Sequence, residues 1–240
     1  MDTFRGLALE VTDVDRAAGF YRDRLGLSVE TTQLADEGTA DTHGWDAPAA
    51  ATVAIGSATL TLRRPTGYPR GGVHTHYALS VPGAAFGAWR DRLAGLNPTE
   101  YALGDGLRSL YVDDPDGHCV EFAATGTGGS DPVVTGAFEV AIEVRDLDRS
   151  AAFYRDLGFT EIDRGDDRVR VRGPIDLELW RPRLGIADGR AGVHVDLAFG
   201  DADPAARVDP VRDAARRVRG AGDGTVVVDP DGHHLSIDPA

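Results

Sequence analysis

The chain contains one cysteine, Cys119, which excludes an intrachain disulfide framework and any zinc cluster built on several thiolates. A metal ion here must therefore be held by histidine and carboxylate. The segment VHTHYAL sets His74 and His76 two residues apart. A strand repeats its side-chain direction every two residues, so both imidazoles are expected on one face. Further on, DDPDGHCVEF puts Cys119 and Glu121 on a common face and sends His118 to the opposite one. The aspartates and glycine of that segment, and of VDPDGHHLSI, are turn formers, so His118 and His233 read as structural. Cys119 reads as a small apolar group beside a pocket, not as a nucleophile. No Ser–His–Asp triad, phosphate-binding glycine loop or dinucleotide fingerprint occurs at workable spacing.

These residues sit inside a repeated unit. Residues 7–23, LALEVTDVDRAAGFYRD, match residues 140–156, VAIEVRDLDRSAAFYRD, at a constant offset of 133. In the same way GGVHTHYAL (71–79) parallels AGVHVDLAF (191–199), and LTLRRP (60–65) parallels LELWRP (177–182). Between the copies, ATGTGGSDPVVTG (124–136) has a linker's composition. Each half divides again into two units. A unit opens with an alternating strand, as in Leu7, Leu9 and Val11 against Gly6, Ala8 and Glu10. Asp13 then caps a helix whose Ala17, Phe20 and Tyr21 form an apolar stripe, and Phe153 and Tyr154 repeat it. Further strands follow, so the organisation reads as βαβββ, four times. Helices over one face leave the other face free, and paired units can curl that face into a ligand-binding hollow.

The charge balance narrows the partners. Lysine is absent, so all 25 basic residues are arginine, and 39 acidic residues bring the net charge to −14. That sign argues against nucleic acid and against anionic membranes. No run approaches the roughly 18 apolar residues of a membrane helix, and no secretory signal is visible, so the expected location is the cytoplasm. Abundant short carboxylates point to a halophilic, salt-adapted protein, with a GC-rich genome as the other explanation. At 240 residues with 42% hydrophobic content, two compact domains are expected.

The strand–xD–helix–FYRD–LG opening and the DPDGH-plus-strand ending, each present twice, resemble the vicinal oxygen chelate superfamily. It includes glyoxalase I, extradiol dioxygenases and bleomycin or fosfomycin resistance proteins. The resemblance implies an α+β fold of four βαβββ modules paired into two cup-shaped glyoxalase-like domains, residues 1–126 and 137–240, joined by the linker 127–136. It also implies a divalent metal held from the opening and closing strands of each unit. In the first half those positions fall on Gly6, Thr61, His76 and Glu121, of which only the last two match; His74 is the expected third donor. In the second half they fall on Glu139, Glu178, Asp196 and Ser236, an alternative, carboxylate-rich site unless arginines such as Arg170 and Arg172 neutralise it. His43, Cys119, Trp180 and His194 are expected around the substrate, with Glu121 also catalytic.

The resulting expectation is a metal-dependent lyase or dioxygenase acting on a small substrate with vicinal oxygens. Its ion is Fe, Mn, Zn, Ni or Mg. The other expectation is a non-catalytic, metal-free small-molecule binder of the resistance type. The molecule is expected to be a monomer or homodimer.

Overall fold

The computed structural model describes residues 1–32, 50–64, 73–102, 106–182 and 196–240. Module I comprises β1 (Thr3–Glu10), α1 (Val14–Gly19), β2 (Val29–Thr32), β3 (Ala50–Ile55) and β4 (Ala58–Arg63). Module II comprises β5 (His74–Pro82), α2 (Phe86–Leu93), β6 (Thr99–Ala102), β7 (Arg108–Asp113) and β8 (Cys119–Gly126). Module III follows with β9 (Gly136–Glu143), α3 (Leu147–Asp156), β10 (Thr160–Arg164), β11 (Arg168–Arg172) and β12 (Asp176–Trp180). Module IV closes the chain with β13 (Asp196–Asp201), α4 (Pro204–Val208), β14 (Arg217–Ala221), β15 (Gly224–Val228) and β16 (His234–Pro239). No helix among the described residues is long and apolar enough to cross a membrane.

The modules pair into two eight-stranded sheets, but across the halves. One sheet runs β14-β15-β16-β13-β1-β4-β3-β2 and joins modules I and IV; the other runs β10-β11-β12-β9-β5-β8-β7-β6 and joins modules II and III. The seams are antiparallel, β1 on β13 and β5 on β9. The expectation of one metal cup inside each half is corrected accordingly. Each cup draws one module from each half, because the opening strands of a half find their seam partners in the other half.

Within a half, the modules meet through turns and helix ends. The second aspartate of the DPDGH turn reaches the start of its neighbour's helix: Asp116 accepts from the Thr12 N–H (2.9 Å), and Asp231 from Arg145 N–H (3.0 Å) and Ser150 Oγ (2.7 Å). The turn histidine continues the clasp. His118 Nε2–H donates to the Glu10 carbonyl (3.0 Å) and His233 Nε2–H to that of Glu143 (2.9 Å).

Local chemistry sets the helices. Asp13 and Asp146 are N-caps, accepting from Arg16 N–H and Arg149 N–H at 3.0 Å each. In α3 the buried stripe is Leu147, Ser150, Ala151, Phe153 and Tyr154, as the 3.6-residue period requires. The two FYRD helices end differently. The second half reads FYRDLG and stops with Gly158 at φ 98°, whereas the first reads FYRDRLG, and its extra residue is absorbed as a π-turn over Phe20–Arg24. One hydrophobic core drawn from all four modules includes Leu7, Tyr21, Trp89, Phe122, Tyr154 and Phe199. Each such side chain contributes about 1.5–3 kcal/mol by leaving water.

Candidate metal centre

The II–III sheet presents polar side chains on the face opposite this core. Along β9, Val140 and Ile142 enter the core, so Glu139 points the other way; β12 does the same with Leu177, Leu179 and Glu178. His76 on β5 lies opposite Ala141 on β9, beside Glu139. Its Nε2 is 3.3 Å from Glu121 Oε2 and 3.5 Å from Glu139 Oε1. Among the described residues, His76, Glu139 and Glu178 are the one group of three or more ligand-type side chains whose donor atoms all lie within 4.8 Å of one another. Glu121 adjoins it through His76, with its own Oε1 accepting from Ser109 Oγ (2.6 Å).

The electrostatics follow from burial and pairing. Burial alone would push the His76 imidazole down, but hydrogen bonds to Glu121 and Glu139 outweigh it and raise the pKa to about 9. Burial raises Glu139, and the charge of Glu178 adds to that, against the opposing pull of His76 and Arg170. Burial also acts to raise Glu121, but His76, Ser109 and Tyr111 together hold it below the ordinary range. Arginines from β11 complete the balance: Arg170 Nη2 lies 2.7 Å from Glu139 Oε2, and Arg168 pairs with Glu178. Trp180 Nε1–H fixes the other Glu178 oxygen at 2.8 Å. One imidazole among carboxylates suits a hard divalent cation, which would relieve the repulsion between Glu139 and Glu178. The residues present fit such an ion.

Several expectations need correction. His74 does not share the face of His76. Between them β5 carries a bulge, so His74 pairs with Ile142 while His76 pairs with Ala141, and the alternation is broken. His74 is buried instead against His118, with rings stacked at 5.1 Å and its Nε2–H donating to His118 Nδ1 (3.2 Å). Asp196 does not join Glu139 and Glu178: β13 carries it into the I–IV sheet, where Arg63 pairs with it. The equivalent floor there is Gly6, Thr61, Asp196 and Ser236. Gly6 cannot be otherwise, since a Cβ would lie 2.1 Å from the Thr59 carbonyl oxygen of the adjacent strand. His43 and His194 lie outside the described residues. Cys119 is partly buried at the head of β8, two positions before Glu121. Sequence reasoning missed Arg168, Ser109 and Tyr111. The alternation RVRVR was the available signal for Arg168, and RSLYVD for the other two.

Paired βαβββ modules with histidine and glutamate converging on one sheet define a glyoxalase-type α+β protein. Residues 4–122 match the family model described as Glyoxalase/Bleomycin resistance protein/Dioxygenase superfamily, and residues 139–237 match that of the glyoxalase-like domain. The chain belongs to this superfamily. Glyoxalase I from Zea mays aligns at a TM-score of 0.68 and 18% identity over 99% of this chain and 92% of its own. A protein of Bacillus subtilis subsp. subtilis str. 168, described as a candidate dioxygenase, aligns at 0.69 and 17% over 99% and 86%. At such identities the likeness is one of fold. No curated protein sequence matches the chain.

Proposed function

We propose that the protein is a divalent-metal-dependent enzyme with one centre, on the II–III sheet, acting on a small substrate that carries two adjacent oxygens. The supporting observation is the convergence of His76, Glu139 and Glu178, with Glu121 in contact. His76, Glu139 and Glu178 would hold the ion, leaving room in an octahedral shell for two substrate oxygens. A bound divalent cation supplies Lewis acidity, stabilising negative charge on those oxygens. Glu121 is the proton carrier. It stands at the edge of the donor cluster, and Ser109 and Tyr111 orient it to take a proton from the carbon beside the chelating oxygens and return it. Trp180 walls the site and fixes Glu178 through its N–H.

This arrangement favours proton-transfer lyase or isomerase chemistry over ring cleavage. The iron oxygenase triad needs two histidines and one carboxylate, and His74, the second imidazole, faces the core. The second reading, a metal-free small-molecule binder, is favoured by a different observation: Arg170, Arg168 and His76 already neutralise Glu139, Glu178 and Glu121.

Titration with Mn²⁺, followed by electron paramagnetic resonance, separates the two. One ion per chain is expected, with affinity falling at least about 100-fold in both His76→Ala and Glu139→Gln and staying unchanged in Asp196→Asn. Protein that takes up no stoichiometric divalent ion, yet binds small ligands, supports the binder instead.

A further inference from the structure

We propose that Arg170, assisted by Arg168, is the receptor for a carboxylate on the substrate, and that metal loading exposes it; this rests on the metal-dependent reading above. Arg170 holds Glu139 at 2.7 Å and Asp176 Oδ2 at 3.0 Å. Asp176 does not depend on it, since Arg172 grips both its oxygens with Nε and Nη2 at 2.9 Å. Glu139 faces His76 with Oε1 and Arg170 with Oε2, so a cation that takes both oxygens into its own shell leaves Arg170 without its main partner. The Arg170 side chain is 21% exposed, and its buried Nε–H lacks a hydrogen-bond partner among the described residues. A guanidinium fork with a donor to spare, beside a site that excludes most water, is built for a planar anion. The Phe138 ring supports it at 5.2 Å, as the Trp180 ring supports Arg168 at 5.7 Å.

The other sheet supplies an internal control. On β11, Arg168, Arg170 and Arg172 lie opposite Trp180, Glu178 and Asp176. The same register positions on β3 are Ala50, Thr52 and Ala54, opposite Arg63, Thr61 and Thr59. Where the donor carboxylates are missing, the arginine row is missing too. The two sets belong to one device: the carboxylates change partner from arginine to ion, and the arginine changes partner from protein to ligand. The substrate class is then an anion with vicinal oxygens and a further carboxylate.

The test compares lactate and malate, which share a chelating hydroxy-acid pair but differ by one carboxylate, using calorimetry on protein with and without Mn²⁺. A titration with Mn²⁺ alone comes first; absence of binding there overturns the metal reading itself and the proposal with it. With the ion bound, malate is expected to bind at least tenfold more tightly than lactate. That preference should vanish in Arg170→Gln, while Mn²⁺ affinity holds or rises because a competitor for Glu139 is gone. Malate should tighten Mn²⁺ binding by the same factor that Mn²⁺ tightens malate, as linkage requires. Arg170→Lys, which keeps the charge and fold but loses the fork, should retain only part of the preference. Equal affinities for the two acids, or a malate preference that survives Arg170→Gln and so reflects chelation only, overturn the proposal.

Discussion

At the scale of single residues, Cys119 reports on the charge near the site. Burial, reinforced by Asp113 and Glu121, pushes its thiol up to about 12. At pH 8 the reactive thiolate is then scarce, and alkylation by iodoacetamide should run more than about 100-fold slower than for free cysteine, whose pKa is near 8.5. A rate within tenfold of free cysteine would contradict this electrostatic picture. The sequence already suggested an inert thiol on the face of Glu121. It also picked out His76, Glu121, Glu139 and Glu178 individually. It misplaced His74 because alternation assumes an unbroken ladder, and nothing in VHTHYAL marks the one-residue bulge that turns the first imidazole toward the core.

At the scale of elements, the DPDGH turns show how a short motif fastens modules. Asp231 accepts from the Arg145 N–H, Ser150 Oγ and Arg149 Nη2 (2.7 Å), all at the start of the helix in module III. Burial acts to raise its carboxyl, but those donors outweigh it and hold the pKa below the ordinary 3.8. A depressed carboxylate stabilises the fold fully above that ordinary value, and the contribution disappears as pH falls through the lower folded value. Asp231→Asn should therefore cost about 1–3 kcal/mol at pH 7 in urea unfolding, with the gap to wild type narrowing as pH falls below the ordinary 3.8 and through the lower folded value. A gap that stays constant with pH would assign the loss to packing instead of charge. The βαβββ order of each module was legible from the repeats, the caps and the period-two strands. The π-turn was signalled only by one additional arginine, Arg24, in FYRDRLG.

At the scale of the molecule, the pairing of modules was beyond the sequence, for a physical reason. The strands beginning near His74 and near Asp196 come from corresponding segments of the repeat, and both offer an antiparallel edge with the same apolar spacing. Hydrophobic pattern alone therefore cannot choose which edge meets which. The chosen arrangement divides the centre: His76 and Glu121 come from the first half, Glu139 and Glu178 from the second. It also leaves each half alone with unpaired strand edges, at β1 and β5 in one and at β9 and β13 in the other. Residues 1–126 and 137–240, produced as separate chains, should each self-associate through those edges. Mixed in molar KCl, where a net charge of −14 is screened, they should form a one-to-one complex on size-exclusion chromatography with light scattering. Stoichiometric Mn²⁺ binding should appear in the mixture and in neither half alone. A monomeric first half that binds Mn²⁺ as tightly as the intact chain would show that the seam between β5 and β9 is not what assembles the donors.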